Sequence, residues 1–256
     1  MSLFATLLLI VLLMTALWLV SLLLRDASII DPFWGLGFVA VVWFLVLREY
    51  PVGARAWLLV ALTTIWGMRL SVYLFWRRRG HGEDRRYAAM RQHHGARFGW
   101  VSLFTVFWLQ SLILWFVSLP LQIALLNHDQ PGWSWLDGLG VGLWLVGLAF
   151  ESIGDWQLAS FVANPQNRGR VLDRGLWRYT RHPNYFGDFC VWWGLYLISA
   201  VGGAMWTVAS PMLMSLLLMR VSGVGLLERT ISERRPEYAR YRARTNAFFP
   251  GLPRDR

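Results

Sequence analysis

Long apolar runs separated by short polar segments dominate the chain, and most of them reach the roughly 20 residues that a helix needs to cross a bilayer. We predict seven spans, over Ser2–Leu24, Phe33–Leu47, Ala56–Trp76, Trp100–Leu126, Trp135–Gln157, Asn184–Val201 and Ala204–Leu227. The second is the shortest, and at about 1.5 Å per residue it extends only about 23 Å. The expected fold is all-α, a polytopic membrane helix bundle that forms a single domain over residues 1–256.

The first run is predicted to be a membrane helix rather than a signal peptide. No positive charge precedes it, and no small-residue cleavage site follows it. The whole chain is 56% hydrophobic and only 16% charged, which agrees with a multi-pass membrane protein.

The arginines predict an orientation. Segment 77–99 holds seven of them, segment 168–181 five and segment 229–256 eight. An odd number of spans places these segments on one side, opposite Arg48 and Arg55. The positive-inside tendency then puts the amino terminus outside and the carboxyl terminus in the cytoplasm. Because the formal charge of +10 is concentrated at helix ends, we expect membrane lipids rather than nucleic acid as partners.

One basic stretch precedes the sixth predicted span. Arg178, Arg181 and His182 stand just before Pro183, which fits the first turn of a new helix. The free amides at a helix start favour anions. Polar side chains at the mouth of this helix therefore predict a cofactor with an anionic group.

Ionisable residues inside the predicted spans also point to a site, because such groups are costly at membrane depth. Arg69 has Tyr73 one turn away, Glu151 and Asp155 share a helix face, and Asp188 lies one turn into the sixth span. A structural pair between Arg69 and one acid is the alternative. The surplus of acids favours a site.

Other polar features have simpler explanations. Gln110 is interpreted as a helix–helix contact. The pair His93-His94 has no partner at metal-ligand spacing, and Cys190 is the single cysteine, so we predict neither a metal site nor a disulfide. The loop around Glu83 fits either local ion pairs or a functional role.

The carboxyl-terminal tail alternates tyrosines with arginines. Tyr238, Tyr241, Thr245 and Phe248 recur at helical spacing. This pattern fits an interfacial helix on the cytoplasmic face of the membrane. It fits equally a tail that folds over the basic loop and closes a cofactor pocket.

Several motifs together resemble the steroid 5-alpha-reductase-like membrane proteins, and most of all their bacterial branch of unassigned function. The residues that carry the resemblance are Gly175 to Asp188, Trp192-Trp193-Gly194, Asp31-Pro32-Phe33-Trp34-Gly35, Trp66 to Leu70, Gly82 to Tyr87, Pro236-Glu237-Tyr238 and Phe248-Phe249-Pro250. The similarity covers about residues 28–252. It implies a seven-helix bundle that binds NADPH and reduces a carbon–carbon double bond conjugated to a carbonyl, in a steroid-like or other lipid substrate.

By this resemblance, a set of residues around the basic stretch would bind NADPH. The set comprises Glu151, Asp155, Arg174, Arg178, Tyr179, Arg181, His182, Asn184, Tyr185, Asp188 and Tyr241. Within it, Arg178, Arg181 and His182 would take the phosphates. The motif Arg181-His182-Pro183 also resembles isoprenylcysteine and phospholipid methyltransferases, which use S-adenosylmethionine. A non-catalytic lipid-binding protein is the third alternative.

The catalytic residues match the family less well. Trp66 stands where the steroid reductases have a tyrosine, when Arg69 is set on the family's arginine. Asp31 or Tyr73 would then replace that tyrosine. A poorly solvated Asp31 carboxyl can stay protonated and donate to an enone oxygen. The alternative role for Asp31 is a helix N-cap.

Overall fold

The computed structural model describes residues 2–50, 53–129, 131–221 and 237–254, and nearly all of its regular structure is helical. The longer helices are α1 (Ser2–Leu24), α2 (Ile30–Glu49), α3 (Ala54–Arg78), α4 (Arg85–His94), α5 (Phe98–Ser102), α6 (Leu109–Val117), α7 (Leu119–Leu126), α8 (Trp135–Ala163), α9 (Pro183–Ser199), α10 (Ala209–Leu216) and α11 (Glu237–Arg244). The described residues contain no β-strand beyond an isolated bridge between Thr180 and Asn246. The predicted all-α polytopic architecture is confirmed.

Six helical stretches in the described residues are long and apolar enough to cross a membrane. They are Ser2–Leu24, Ala27–Glu49, Ala54–Arg78, Arg85–Val117, Trp135–Ala163 and Pro183–Arg220. The count differs from the predicted seven because the last stretch, of 38 residues, includes both the predicted sixth span and most of the seventh. Residues 222–227 of the seventh span lie outside the described residues.

The stretch Pro183–Arg220 is not one straight helix. Gly203 has a φ of 93°, which interrupts the helical backbone. Trp193 lies before this break and Ser215 lies after it. The Trp193 indole nevertheless donates a hydrogen bond to the Ser215 hydroxyl at 3.1 Å. A straight helix would separate these two residues by about 33 Å, at about 1.5 Å per residue. The stretch therefore folds back on itself as two helical arms, α9 and α10, each placed where a separate span was predicted.

The prediction of a short second span was wrong. The helix α2 has 20 residues and is preceded by a 3₁₀ turn over Ala27–Ile29. Asp26 caps this turn, since its carboxylate accepts a hydrogen bond from the Ser28 amide at 3.0 Å. The helical region therefore begins upstream of Phe33, the residue at which the predicted span began.

Two compact units divide the chain. The first unit comprises Met1–Trp133 with Ser199–Thr207. In it, α2 and α3 approach so closely that a Cβ on Gly67 would lie 2.6 Å from the carbonyl oxygen of Gly35. Contacts between small residues are typical of membrane helix pairs. Beside them, the Phe38 and Trp66 rings, 5.8 Å apart, are completely buried.

The second unit comprises Ser134–Ile198 with Val208–Arg256. Here α8 and α9 run antiparallel with backbone in contact with backbone. A Cβ on Gly187 would lie 2.6 Å from the Glu151 amide nitrogen, and one on Gly194 would lie 2.6 Å from the Gly140 carbonyl oxygen. Only glycine allows this approach, so the two helices that carry most of the predicted cofactor residues are held at a fixed spacing.

A bidentate ion pair organises the connection between α3 and α4. Both carboxylate oxygens of Glu83 accept from the Arg91 guanidinium, at 2.8 and 2.9 Å, and one also accepts from the Ala27 amide at 2.8 Å. The Glu83 side chain is only 12% exposed. These contacts make Glu83 a structural residue that ties the loop to the first turn before α2.

The same contacts predict a pH dependence of stability. The hydrogen bonds from Arg91 outweigh partial burial and lower the pKa of Glu83 below its ordinary value. A lowered folded-state pKa means that the stabilisation is present above the unfolded pKa of about 4.3 and is lost as pH falls through the folded-state pKa. We expect Glu83→Gln to lose about 1–2 kcal/mol at pH 7.

Thermal unfolding in detergent at pH 7 and at pH 3 would measure this difference. The gap in melting temperature between wild type and Glu83→Gln should narrow at the lower pH. A gap that stays constant would show that ionised Glu83 contributes no stability through Arg91.

Candidate functional site

The basic stretch forms a 3₁₀ turn over Gly175–Arg178 that rests on the end of α8. The Leu176 amide donates to the Gln157 side-chain oxygen at 3.0 Å, and the Trp177 indole donates to the Gly154 carbonyl at 3.1 Å. Gly175 has a φ of 62°, a conformation that side chains disfavour, so glycine is required at the entry to the turn. The turn is thus fixed relative to α8.

The tail packs against this turn. The Tyr241 hydroxyl donates to the Trp177 carbonyl at 2.5 Å, and the Thr180 hydroxyl donates to the Phe248 carbonyl at 2.7 Å. Further along, the Gly251 amide donates to the Tyr179 carbonyl at 3.1 Å. The tail therefore folds over the basic loop, as one of the two interpretations of its sequence had it. The helix α11 provides the amphipathic segment, with its tyrosines buried.

Arg181 and His182 lie beneath the tail rather than at the surface. The Arg181 guanidinium donates to the carbonyls of Arg242 at 3.0 Å and Thr245 at 2.7 Å, and the residue is only 8% exposed. His182 is also buried and stacks on Tyr185, with ring centres 5.5 Å apart. The phosphate role of Arg181 and His182 stays a prediction. Arg181 in this structure holds the tail.

Next to the docked tail lies a pocket of about 350 Å³ lined by four arginines. Its lining comprises Asp173, Arg174, Gly175, Arg178, Arg244, Thr245, Pro253 and Arg254. One acid, Asp173, lies 3.4 Å from Arg244, so the pocket keeps an excess of positive charge. Clustered guanidinium groups are suited to phosphate oxygens. The pocket is therefore an anion-binding candidate.

Arg174 and Arg178 were predicted from the sequence, whereas Arg244 and Arg254 were not. In the sequence, these two stand among several arginines of the tail that orientation and lipid contact already explain. Only the fold of the tail over the loop distinguishes them from Arg240 and Arg242.

The predicted acids lie between α8 and α9. Glu151 and Asp155 are both buried, and the Asn184 amide donates to the Asp155 carboxylate at 3.4 Å. The Asn184 side-chain oxygen also accepts from the Tyr185 amide at 3.1 Å, at the start of α9. Asp188 follows one turn later on α9. The second unit thus brings four polar residues, Glu151, Asp155, Asn184 and Asp188, to one helix pair, which the spacing within each helix did not predict.

The catalytic candidates lie in the first unit. Asp31, in the first turn of α2, accepts hydrogen bonds from the Arg86 guanidinium and the Tyr87 hydroxyl, both at 2.9 Å. The Gln110 amide donates to the Tyr87 hydroxyl at 3.3 Å, and the Trp34 indole donates to Gln110. Asp31 is not the N-cap of α2, because the capping position is Ile29. It belongs to a polar network that joins α2, α4 and α6.

The other two candidates share one face of α3. The guanidinium of Arg69 lies 5.5 Å from the centre of the Tyr73 ring, and that of Arg77 lies at the same distance. One helical turn earlier, Trp66 is fully buried against Phe38, so it serves as a core residue. A tyrosine at position 66 would have to take over the contacts that the buried Trp66 ring makes in the core. Arg69 and Tyr73 stay predictions.

The helical fold with its membrane-length apolar stretches and its arginine-lined pocket defines a polytopic membrane protein. The described residues contain no group of three or more His, Cys, Asp or Glu side chains placed to hold a metal ion. A family profile described as "Protein of unknown function (DUF1295)" matches residues 17–245. The chain belongs to this family, which is the steroid 5-alpha-reductase-like family that the motifs indicated.

Two individual proteins are also similar to the chain. One is "Uncharacterized protein C594.04c" of Schizosaccharomyces pombe, 25% identical over 92% of this chain and 76% of the relative. Another is "Cobalt-zinc-cadmium resistance protein CzcN" of Cupriavidus metallidurans, 26% identical over 53% of this chain and 61% of the relative. No solved structure matches the chain.

Proposed function

We propose that the protein is an NADPH-dependent membrane oxidoreductase that reduces a carbon–carbon double bond conjugated to a carbonyl in a steroid-like or other lipid. The observation that carries this proposal is the pocket lined by Arg174, Arg178, Arg244 and Arg254. NADPH carries a pyrophosphate and a 2′-phosphate, each of which benefits from paired guanidinium groups. S-adenosylmethionine, the cofactor of the alternative methyltransferase, carries no phosphate. A cluster of four arginines is therefore not explained by binding S-adenosylmethionine.

The four guanidinium groups are suitable donors for the phosphates of NADPH. The size of the pocket limits how much of the NADPH molecule it can hold. About 350 Å³ is at the low end of the roughly 300–1,000 Å³ that ligand pockets span. The pocket therefore takes the phosphate-bearing part of the dinucleotide, with the arginines as its ligands. Bound NADPH supplies the hydride for the β-carbon of the enone.

The residues of the first unit would act on the substrate. A carboxyl group at Asp31, or the hydroxyl of Tyr73, would donate a hydrogen bond to the enone oxygen and a proton to the reduced product. Arg69 would stabilise the negative charge that develops on that oxygen. Each role is assigned from the family resemblance and the polar surroundings, and each can be removed by a single substitution.

The first test identifies the nucleotide that co-purifies with the protein in mild detergent, by mass spectrometry. We expect NADPH or NADP⁺. Co-purified S-adenosylmethionine would favour the methyltransferase, and the absence of both with no NADPH-induced thermal shift would favour a non-catalytic lipid-binding protein.

The second test assigns the pocket. Arg178→Gln should weaken NADPH by about tenfold or more, because charge-assisted hydrogen bonds are worth roughly 1.5–3 kcal/mol each. Titrated thermal shifts would measure the affinity. Arg168→Gln is the matched control, since Arg168 is exposed on the same connection but does not line the pocket. Equal affinities in both variants would remove the pocket from the proposal.

A further inference from the structure

Two arginines end α3, and the structure gives them different neighbours. Arg78 forms an ion pair with Asp26, whereas the guanidinium of Arg77 lies over the Tyr73 ring. Orientation in the membrane requires only the charges of these residues. It does not explain why one of them is directed to a catalytic candidate.

Tyr73 has a guanidinium group on each side along the helix. Arg69 stands four residues before it and Arg77 four residues after it, and both guanidinium carbons lie 5.5 Å from the centre of the ring. This distance is typical of cation–π contacts. One such contact is sufficient to anchor a ring, and a second positive charge beside it adds repulsion. The pair of cations is therefore suited to a negative charge that forms at this position.

The positive charge of Arg77 also interacts favourably with the carboxylates of Asp31 and Asp84. Asp31 lies in the first turn of α2, and Asp84 is the N-cap of α4. Arg77 is thus close to both groups that are candidates for the proton donor, the Asp31 carboxyl and the Tyr73 hydroxyl. The polar network around Asp31 and the arginine-flanked face of α3 share this residue as a common neighbour.

We propose that Arg77 is a positioning residue for the proton donor of the reductase, a role that rests on the proposed function. Hydride addition to the β-carbon leaves an enolate, and the donor then gives its proton to the α-carbon. The O–H bond of the donor breaks in this step, so a carboxylate remains at Asp31 or a phenolate at Tyr73, and water later restores the proton. Arg77 stabilises that anion.

Steady-state kinetics of the enone reduction test this role. In Arg77→Gln we expect kcat to fall about fivefold, with KM and NADPH affinity unchanged, because only the step in which the donor ionises loses stabilisation. Arg77→Lys keeps the charge and should restore most of the rate. Arg79→Gln is the matched control, since it removes an equal charge from the residue that follows α3. It should leave kcat unchanged.

Labelling of Tyr73 with an arylsulfonyl fluoride tests the same charge without a cofactor or a substrate. The phenolate attacks the sulfur, an O–S bond forms and fluoride leaves, so the rate rises when the phenolate is stabilised. Peptide mass spectrometry should show Tyr73 labelled about fivefold more slowly in Arg77→Gln than in wild type. Labelling in Arg79→Gln should proceed at the wild-type rate.

Two results would overturn the proposal. One is equal labelling of Tyr73 in wild type and both glutamine variants. The other is a lower melting temperature of Arg77→Gln with unchanged kcat, which would make the contact with Tyr73 purely structural. If the wild type reduces no enone, the proposed function fails, and the labelling still decides whether Arg77 stabilises a phenolate at Tyr73.

Discussion

Asp31→Asn should lower the rate of NADPH oxidation with an accepted enone lipid by about a hundredfold or more, while NADPH affinity is unchanged. This expectation rests on the proposed reductase activity. Asparagine keeps the size of the side chain and can still accept from the Tyr87 hydroxyl, but it has no acidic proton. Steady-state turnover at saturating substrate would measure the effect.

The control for this prediction comes from the ion pair itself. Asp31→Asn also removes the pair with Arg86, whose side chain is 44% exposed, and a pair of this kind contributes about 1 kcal/mol or less. Arg86→Gln removes the same pair and keeps the carboxyl group. If both variants lose turnover equally, Asp31 acts through structure alone. Attention would then move to Tyr73.

Arg181→Ala should destabilise the second unit by about 2–4 kcal/mol, because it leaves the carbonyls of Arg242 and Thr245 without their buried donor. The tail should then detach and become accessible to trypsin. Thermal unfolding, together with limited proteolysis followed by mass spectrometry, would measure both effects.

Arg178→Ala is the matched control. Arg178 is exposed on the same turn, so its loss should change stability by less than about 0.5 kcal/mol. Because the tail carries Arg244 and Arg254, Arg181→Ala should also weaken NADPH, although Arg181 touches no pocket surface. A variant with normal stability and weakened NADPH would instead return Arg181 to the phosphate role that the sequence suggested.

Much of the fold could be predicted because a bilayer demands long apolar helices, and these are visible as runs in the sequence. Helices α1 and α3 begin and end near their predicted limits, whereas α8 begins at the predicted residue and continues to Ala163, six residues beyond the predicted end at Gln157. The second helix was predicted too short because Asp31 and Pro32 look like a loop, whereas both fit the first turn of a helix. The fold-back at Gly203 was placed correctly between two predicted spans, since paired glycines interrupt an apolar run.

The site was less accessible to prediction, because its contacts connect distant parts of the sequence. The spacing of Glu151 and Asp155 placed both on one helix face, and this is local information. The contacts of Arg181 with backbone carbonyls more than 60 residues away leave no trace in the spacing of side chains. For the same reason, Arg244 could not be distinguished from its neighbouring arginines.

The pocket is lined by two segments that are far apart in the sequence and are therefore synthesised at different times. The turn at Gly175–Arg178 and the wall at Arg244 and Arg254 are separated by the whole α9–α10 hairpin. The arginine cluster can therefore assemble only after the chain has been synthesised through Arg254, beyond the whole α9–α10 hairpin. A nucleotide therefore cannot occupy the complete pocket of a chain that is still being synthesised upstream of the tail.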